Sequence, residues 1–176
     1  MGTIDKARGR SLALLRIVLG SGFLYAGLAK ALDFEGSGKA FSAAGFLKFG
    51  TTGTAPGAAE GAIVNPTHDF WVALAGNAAL MPLVDFLVVF GQIAIGAALI
   101  LGLATRFAAM CGVLMMSLLF VASWDFLHGP VNQLMLYIVA TAAVGYGAAG
   151  EVFGLDGIVE RMSFVKRTPQ LRYVLG

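Results

Sequence analysis

The stretch that most limits the fold is Phe90 to Ala109, FGQIAIGAALILGLATRFAA, an apolar run that carries one uncharged polar residue, Gln92, deep inside it and meets no charge before Arg106. At a rise of about 1.5 Å per residue, a helix from Leu83 to Ala104 is long enough to cross a hydrocarbon core about 30 Å thick. Gly91, Gly96 and Gly102 remove side-chain bulk, so another helix can approach closely where lipid gives little hydrophobic drive for association. The run predicts a membrane span with protein on at least one side.

The rest of the chain agrees. With 176 residues, 58% hydrophobic and 12% charged, it is too apolar for an ordinary soluble domain and too short for a large transporter. Cys111 is the only cysteine, which excludes an intrachain disulfide, a CxxC motif and a thiolate metal cage. Basic residues precede the first apolar run, but that run is of span length and lacks a small-residue cleavage site, so it is expected to be retained. No nucleic-acid partner is expected; the lipid bilayer is.

Charge orients the spans. Lys6, Arg8 and Arg10 precede the first, Arg106 falls after the second, and Arg161, Lys166, Arg167 and Arg172 follow the fourth, while the turn after the third has no Lys or Arg. Basic residues favour the cytoplasmic side, which puts both termini there. The fold class predicted is an all-α integral membrane protein: a four-helix transmembrane bundle, in one domain over 1–176, with spans at about 11–32, 83–104, 107–124 and 131–149. The outer insert, 33–82, is expected to carry amphipathic surface helices around Phe41 to Lys48 and, after a Thr67 cap, around Phe70 to Met81, with Trp71 at the membrane interface and a mobile Gly-rich middle. In the tail, 150–176, the stripe Leu155, Ile158, Val159, Met162 and Val165 predicts a cytoplasmic surface helix drawn to anionic lipid.

On the first span Arg16, Gly20, Phe23, Gly27 and Lys30 recur at steps of 4, 3, 4 and 3, one seam of a helix packed at a coiled-coil angle. On the second, Asp85, Gln92, Leu99 and Arg106 follow at steps of 7. Facing in antiparallel order, the seams bring Lys30 to Asp85 near the outer surface and Arg16 to Arg106 near the inner one. Two guanidinium groups at one depth repel unless an acid, a lipid phosphate or a ligand oxygen stands between them. Arg16, Gln92 and Arg106 are therefore a candidate inner anion site or a structural seam.

The outer ends of the spans gather Lys30, Asp85, Trp124, Asp125, His128, Asn132 and Gln133. A cation, carboxylates, an imidazole and amides are ingredients for holding a small anion or the head of a quinone. They are also what the wet ends of any bundle carry, and both readings stand. Gln133, Tyr137 and Thr141 share one face of the fourth span, which should meet protein or a cavity. His68 and His128 have no Glu or Cys partner at ligand spacing, so no metal site is expected, and no catalytic residue is assigned.

Three stretches resemble the DoxX family of small four-helix bacterial membrane proteins: Gly102 to Ala109 (GLATRFAA), the set Leu15, Arg16, Gly20, Phe23, Gly27 and Lys30, and Gly154-Leu155-Asp156-Gly157. The long insert is similar to that of the DoxD branch, the membrane subunit of thiosulfate:quinone oxidoreductases. This resemblance implies the bacterial cytoplasmic membrane, a quinone in place of any covalent cofactor, and a subunit of a quinone-linked oxidoreductase acting on a small reduced sulfur anion. Gln92 stands where many relatives carry Glu. The alternative is a non-catalytic subunit that anchors, docks or assembles other membrane or redox proteins, or copies of itself.

Overall fold

The computed structural model describes residues 3–50, 65–124, 131–147, 149–150, 152–160 and 175, with side chains from Ala7 onward. The Gly-rich middle of the insert, Asp125, His128 and the basic tail from Arg161 to Arg172 lie outside them. Among the described residues the chain is all helix: α1 (Thr3–Ala31), α2 (Ala44–Phe49), α3 (His68–Ala75), α4 (Met81–Leu101), α5 (Thr105–Ala122), α6 (Gln133–Tyr146) and α7 (Asp156–Val159).

Local chemistry sets the ends of these helices. Pro82 stands in the first turn of α4, where its missing N–H has no intrahelical partner to lose. The long apolar run breaks at Gly102, which takes the left-handed conformation (φ 63°), while Leu103 donates its N–H to the Ala98 carbonyl at 3.0 Å. Ala104 is left-handed too (φ 50°), and α5 begins one residue later. Asn132 starts α6 by accepting the Met135 N–H at 3.1 Å.

Ala7–Ala31, Met81–Leu101 and Thr105–Ala122 are long and apolar enough to cross a membrane. The helix found within the fourth expected span, α6, is apolar but has 14 residues, a length of about 21 Å. The four long helices close a ring, α1 on α4, α4 on α5, α5 on α6 and α6 on α1. The glycine seam is where α1 and α4 meet in antiparallel order. A Cβ at Gly20 would stand 2.9 Å from the Gly96 carbonyl oxygen, and one at Gly27 2.9 Å from the Ile93 nitrogen. Leu19, Phe23, Ile95, Leu99, Met116 and Val144 fill the centre, with Phe23 edge-on to Tyr137 at 6.4 Å between centroids. Val18, Phe90, Leu114, Leu118 and Val139 face outward, as a lipid-contacting belt requires.

The insert folds back onto the bundle. Its Ala43, Leu47, Trp71 and Ala75 form a second apolar cluster with Met81 of α4 and Ala122 of α5. Trp71, expected at the lipid interface, is instead buried there, because its indole N–H finds a protein acceptor, Thr67 Oγ1, at 2.9 Å. Two polar hooks fix the insert. Asp85 on α4 accepts the Ala43 N–H at 2.6 Å, and buried Asn65 donates to the carbonyls of Val121 and Ala122 at 2.8 and 3.0 Å, satisfying acceptors at the end of α5.

Just beyond α1, Asp33 accepts hydrogen bonds from the Ser37 hydroxyl (2.8 Å), the Ser37 N–H (3.0 Å) and the Gly38 N–H (2.6 Å). The Ser37 hydroxyl first, then the two amides, hold its carboxyl below the usual carboxylate range. A value lower in the folded than in the unfolded chain means that the order these bonds give the loop is complete above the ordinary carboxylate pKa and is lost as pH falls through the lowered one. Amide exchange at Ser37 and Gly38, corrected for its intrinsic pH dependence, should therefore lose protection on acidification. Asp33→Asn should abolish that pH dependence; an unchanged profile would show that the carboxylate does not organise the turn.

Candidate functional site

The structure builds two polar centres, one at the end of the bundle where α1 enters and α4 gives way to α5, and one near its middle. At the first of these Arg16 is fully buried on α1. Its Nη1 donates to the Ala149 carbonyl at 2.7 Å and its Nη2 to the Phe153 carbonyl at 2.9 Å, while the buried Nε has no partner among the described residues. The anion beside it is a protein carboxylate: Asp156, also fully buried, is close enough for its charge to act on the guanidinium. Asp156 in turn accepts the N–H groups of Ala104 (2.7 Å) and Thr105 (2.9 Å), donors that the first turn of α5 leaves unused. Gly102 and Gly154 make room for the guanidinium, since a Cβ at either position would run into Nη1.

This geometry corrects the inner seam. Arg106 belongs to α5, because Gly102 and Ala104 turn the chain before it; seven residues past Leu99 no longer means the same face. The acid that a buried arginine calls for is Asp156, which the spacing of the spans did not reveal. Its signals were its place in Gly154-Leu155-Asp156-Gly157, one of the stretches that carry the family resemblance, and at the head of an apolar stripe.

The second centre lies where all four long helices meet. A cavity of about 240 Å³ is lined by Gly22 and Ala26 of α1, Gln92 of α4, Met116 of α5, and Gln133 and Tyr137 of α6. Gln92 is 5% exposed, and its amide oxygen has no hydrogen-bond partner among the described residues. Thr141, a turn beyond Tyr137, is fully buried, and its hydroxyl too has no partner among them. A buried polar atom left unpaired costs about 1–3 kcal/mol, so an amide held at this cavity is poised for a partner that enters it.

Beside it, a larger apolar space of about 810 Å³ runs between α4 and α5, from Phe107 and Ala108 at one end to Phe41, Leu47 and Trp71 of the insert at the other. Lys30 stands at the insert end, donating to the Ala26 carbonyl at 3.1 Å with its Nζ 5.6 Å from the centre of the Phe41 ring. Its expected pairing with Asp85 is not made. Asp85 accepts from Ala43 instead, and the carboxylate whose charge reaches Lys30 is Glu35.

The residues expected to form one outer site are thus divided. Gln133 joins Gln92 at the central cavity, Lys30 lines the α4–α5 space, and Asp85 and Asn132 serve helix starts. Trp124 stacks on Phe120 at 5.9 Å, and Asp125 and His128 fall outside the described residues. Among the described residues no three His, Cys, Asp or Glu side chains gather as a metal site would require.

Three membrane-length helices, a fourth apolar helix closing their ring and a buried charge node define a small multi-pass membrane protein. Residues 11–127 match DoxX, and since they make up well over half of the chain, it belongs to the DoxX family. No curated protein and no solved structure gives a significant match. The Gly154–Gly157 signature lies past the matched residues, yet its Asp156 closes the node around Arg16 and the start of α5.

Proposed function

We propose that this DoxX-family chain is a membrane subunit of a quinone-linked oxidoreductase, seated in the bacterial cytoplasmic membrane with both termini inside, and that its central cavity holds the quinone head. The observation that carries this reading is Gln92: a buried amide with an unpartnered oxygen at a cavity that Gln133 and Tyr137 also line. The residues fit the group. A half-turn of the Gln92 amide exchanges donor and acceptor without changing its shape, so it can meet a quinone carbonyl or a quinol hydroxyl, and Tyr137 offers a second hydroxyl. Bound there, the quinone would supply the two-electron acceptor chemistry that side chains lack. The chain's own part is to orient the head between α4 and α6 and to keep bulk water from it. Electrons would reach this site from a partner subunit, and a small reduced sulfur anion as their source follows from the likeness to the DoxD branch.

The test is extraction of quinone from protein purified out of native membranes in mild detergent. Wild-type material should carry quinone near one per chain, and Gln92→Leu should retain at least tenfold less. Wild-type material free of quinone overturns the reading, and material that carries a partner protein but no quinone makes the chain a docking subunit.

A further inference from the structure

The central cavity and the α4–α5 space are not independent: Gln92 and Leu134 line both. A molecule whose head sits in the smaller one can therefore reach the larger past this pair. The two differ sharply in chemistry. The smaller offers two amides and a phenol, whereas the larger, with more than three times the volume, has Lys30 as the one charged and Gln92 as the one amide side chain among those lining it. The larger space exists because α4 presents small residues there, Ala94 and Ala98, so that α4 and α5 do not fill the gap between them.

We infer that the α4–α5 space is the berth for a long apolar chain attached to the head held at Gln92. The site then reads two parts of one amphiphile, a compact polar ring and a hydrocarbon tail, an inference that rests on the head-site reading above. The competing occupant is an ordinary phospholipid with its phosphate at Lys30. Two features oppose it. Lys30 already donates to Ala26, lies over the Phe41 ring and feels the carboxylate of Glu35. The insert also lays Phe41, Leu47 and Trp71 across the outer end, where a phospholipid head would need polar company. A chain entering from the Gln92 side needs none there. Its gain over free lipid is one of packing and of leaving the head free to seat, because the bilayer is as apolar as the berth.

The exit can be blocked without touching the head site. Ala94 and Ala98 line only the larger space, and Ala94→Leu and Ala98→Leu fill it with side chains at home in a membrane helix. Binding would be measured for wild type and both variants in nanodiscs of one phosphatidylcholine composition, with two probes of identical ring: a tailless dimethoxy-methyl-benzoquinone and its decyl derivative. The decyl probe should bind at least tenfold more weakly to either variant than to wild type, while the tailless probe stays within twofold. Partitioning of the decyl chain into the disc cancels in that ratio. If both probes weaken equally, or neither changes, the berth is refuted while the head site stands. If neither probe binds wild type, the head site fails and the berth with it. Variants that bind both probes as wild type does but lose a tightly held phospholipid would give the space to that lipid instead.

Discussion

Asp156→Ala should lower the unfolding free energy by about 3–5 kcal/mol, because it strands a buried cation and at the same time uncaps a helix. The guanidinium of Arg16 would keep its two carbonyl acceptors but lose the neighbouring carboxylate, and the half-buried N–H of Ala104 and the buried N–H of Thr105 would lose their acceptor. Arg16→Met in the same background should restore part of the loss, since the double variant buries no lone charge. Denaturant unfolding in detergent would show this as a cycle in which the two single effects exceed the double one. Strict additivity would mean that the two side chains do not act on each other. Arg16 substitutions should accordingly appear as lost stability rather than as lost anion binding.

The second large effect belongs to Gly96. A Cβ there would collide with the backbone nitrogen and Cα of Leu24, so α1 and α4 cannot keep their separation with any larger residue. Gly96→Val should cost about 3 kcal/mol or more, at the upper end for overpacking, since backbone cannot move aside as a flexible side chain can. Gly45→Ala is the matched control. Nothing among the described residues lies within 4 Å of a Cβ at Gly45, in the short helix α2, and the change should be neutral or gain about 0.5–1 kcal/mol. If the two variants melted together, the α1–α4 contact would not depend on that missing side chain.

Both effects bear on how much the chain discloses before it folds. The three long spans and the α1–α4 seam were legible because a bilayer allows few solutions: long apolar runs must be helices, and Gly20 and Gly27, on a face whose residues recur at steps of three and four, must meet something. The positions of Gly20, Gly27 and Gln92 on facing surfaces followed from that spacing alone. What spacing hid was competition for backbone groups. Asp85 had a lysine at the right depth but was taken by the N–H of Ala43, and Asn132, a candidate ligand, was taken by the start of α6. Asn65 was missed altogether, since its acceptors, the carbonyls of Val121 and Ala122, become neighbours only when the insert folds back. Such partners are set by tertiary approach, which periodicity does not encode.

Arg16 also imposes an order on biogenesis. Its acceptors, the carbonyls of Ala149 and Phe153, lie 133 and 137 residues further along the chain. At synthesis rates of about 5–20 residues per second, α1 therefore waits roughly 7 to 27 s for partners that the ribosome has not yet made. During that interval the guanidinium must shelter near the lipid headgroups or within the insertion machinery, and α1 cannot settle at its final depth. A chain broken off before residue 149 would never release it. Synthesis of the segment from Ala149 to Asp156 and seating of the first helix thus become coupled, which gives membrane quality control a plain electrostatic mark of a chain that lacks that segment.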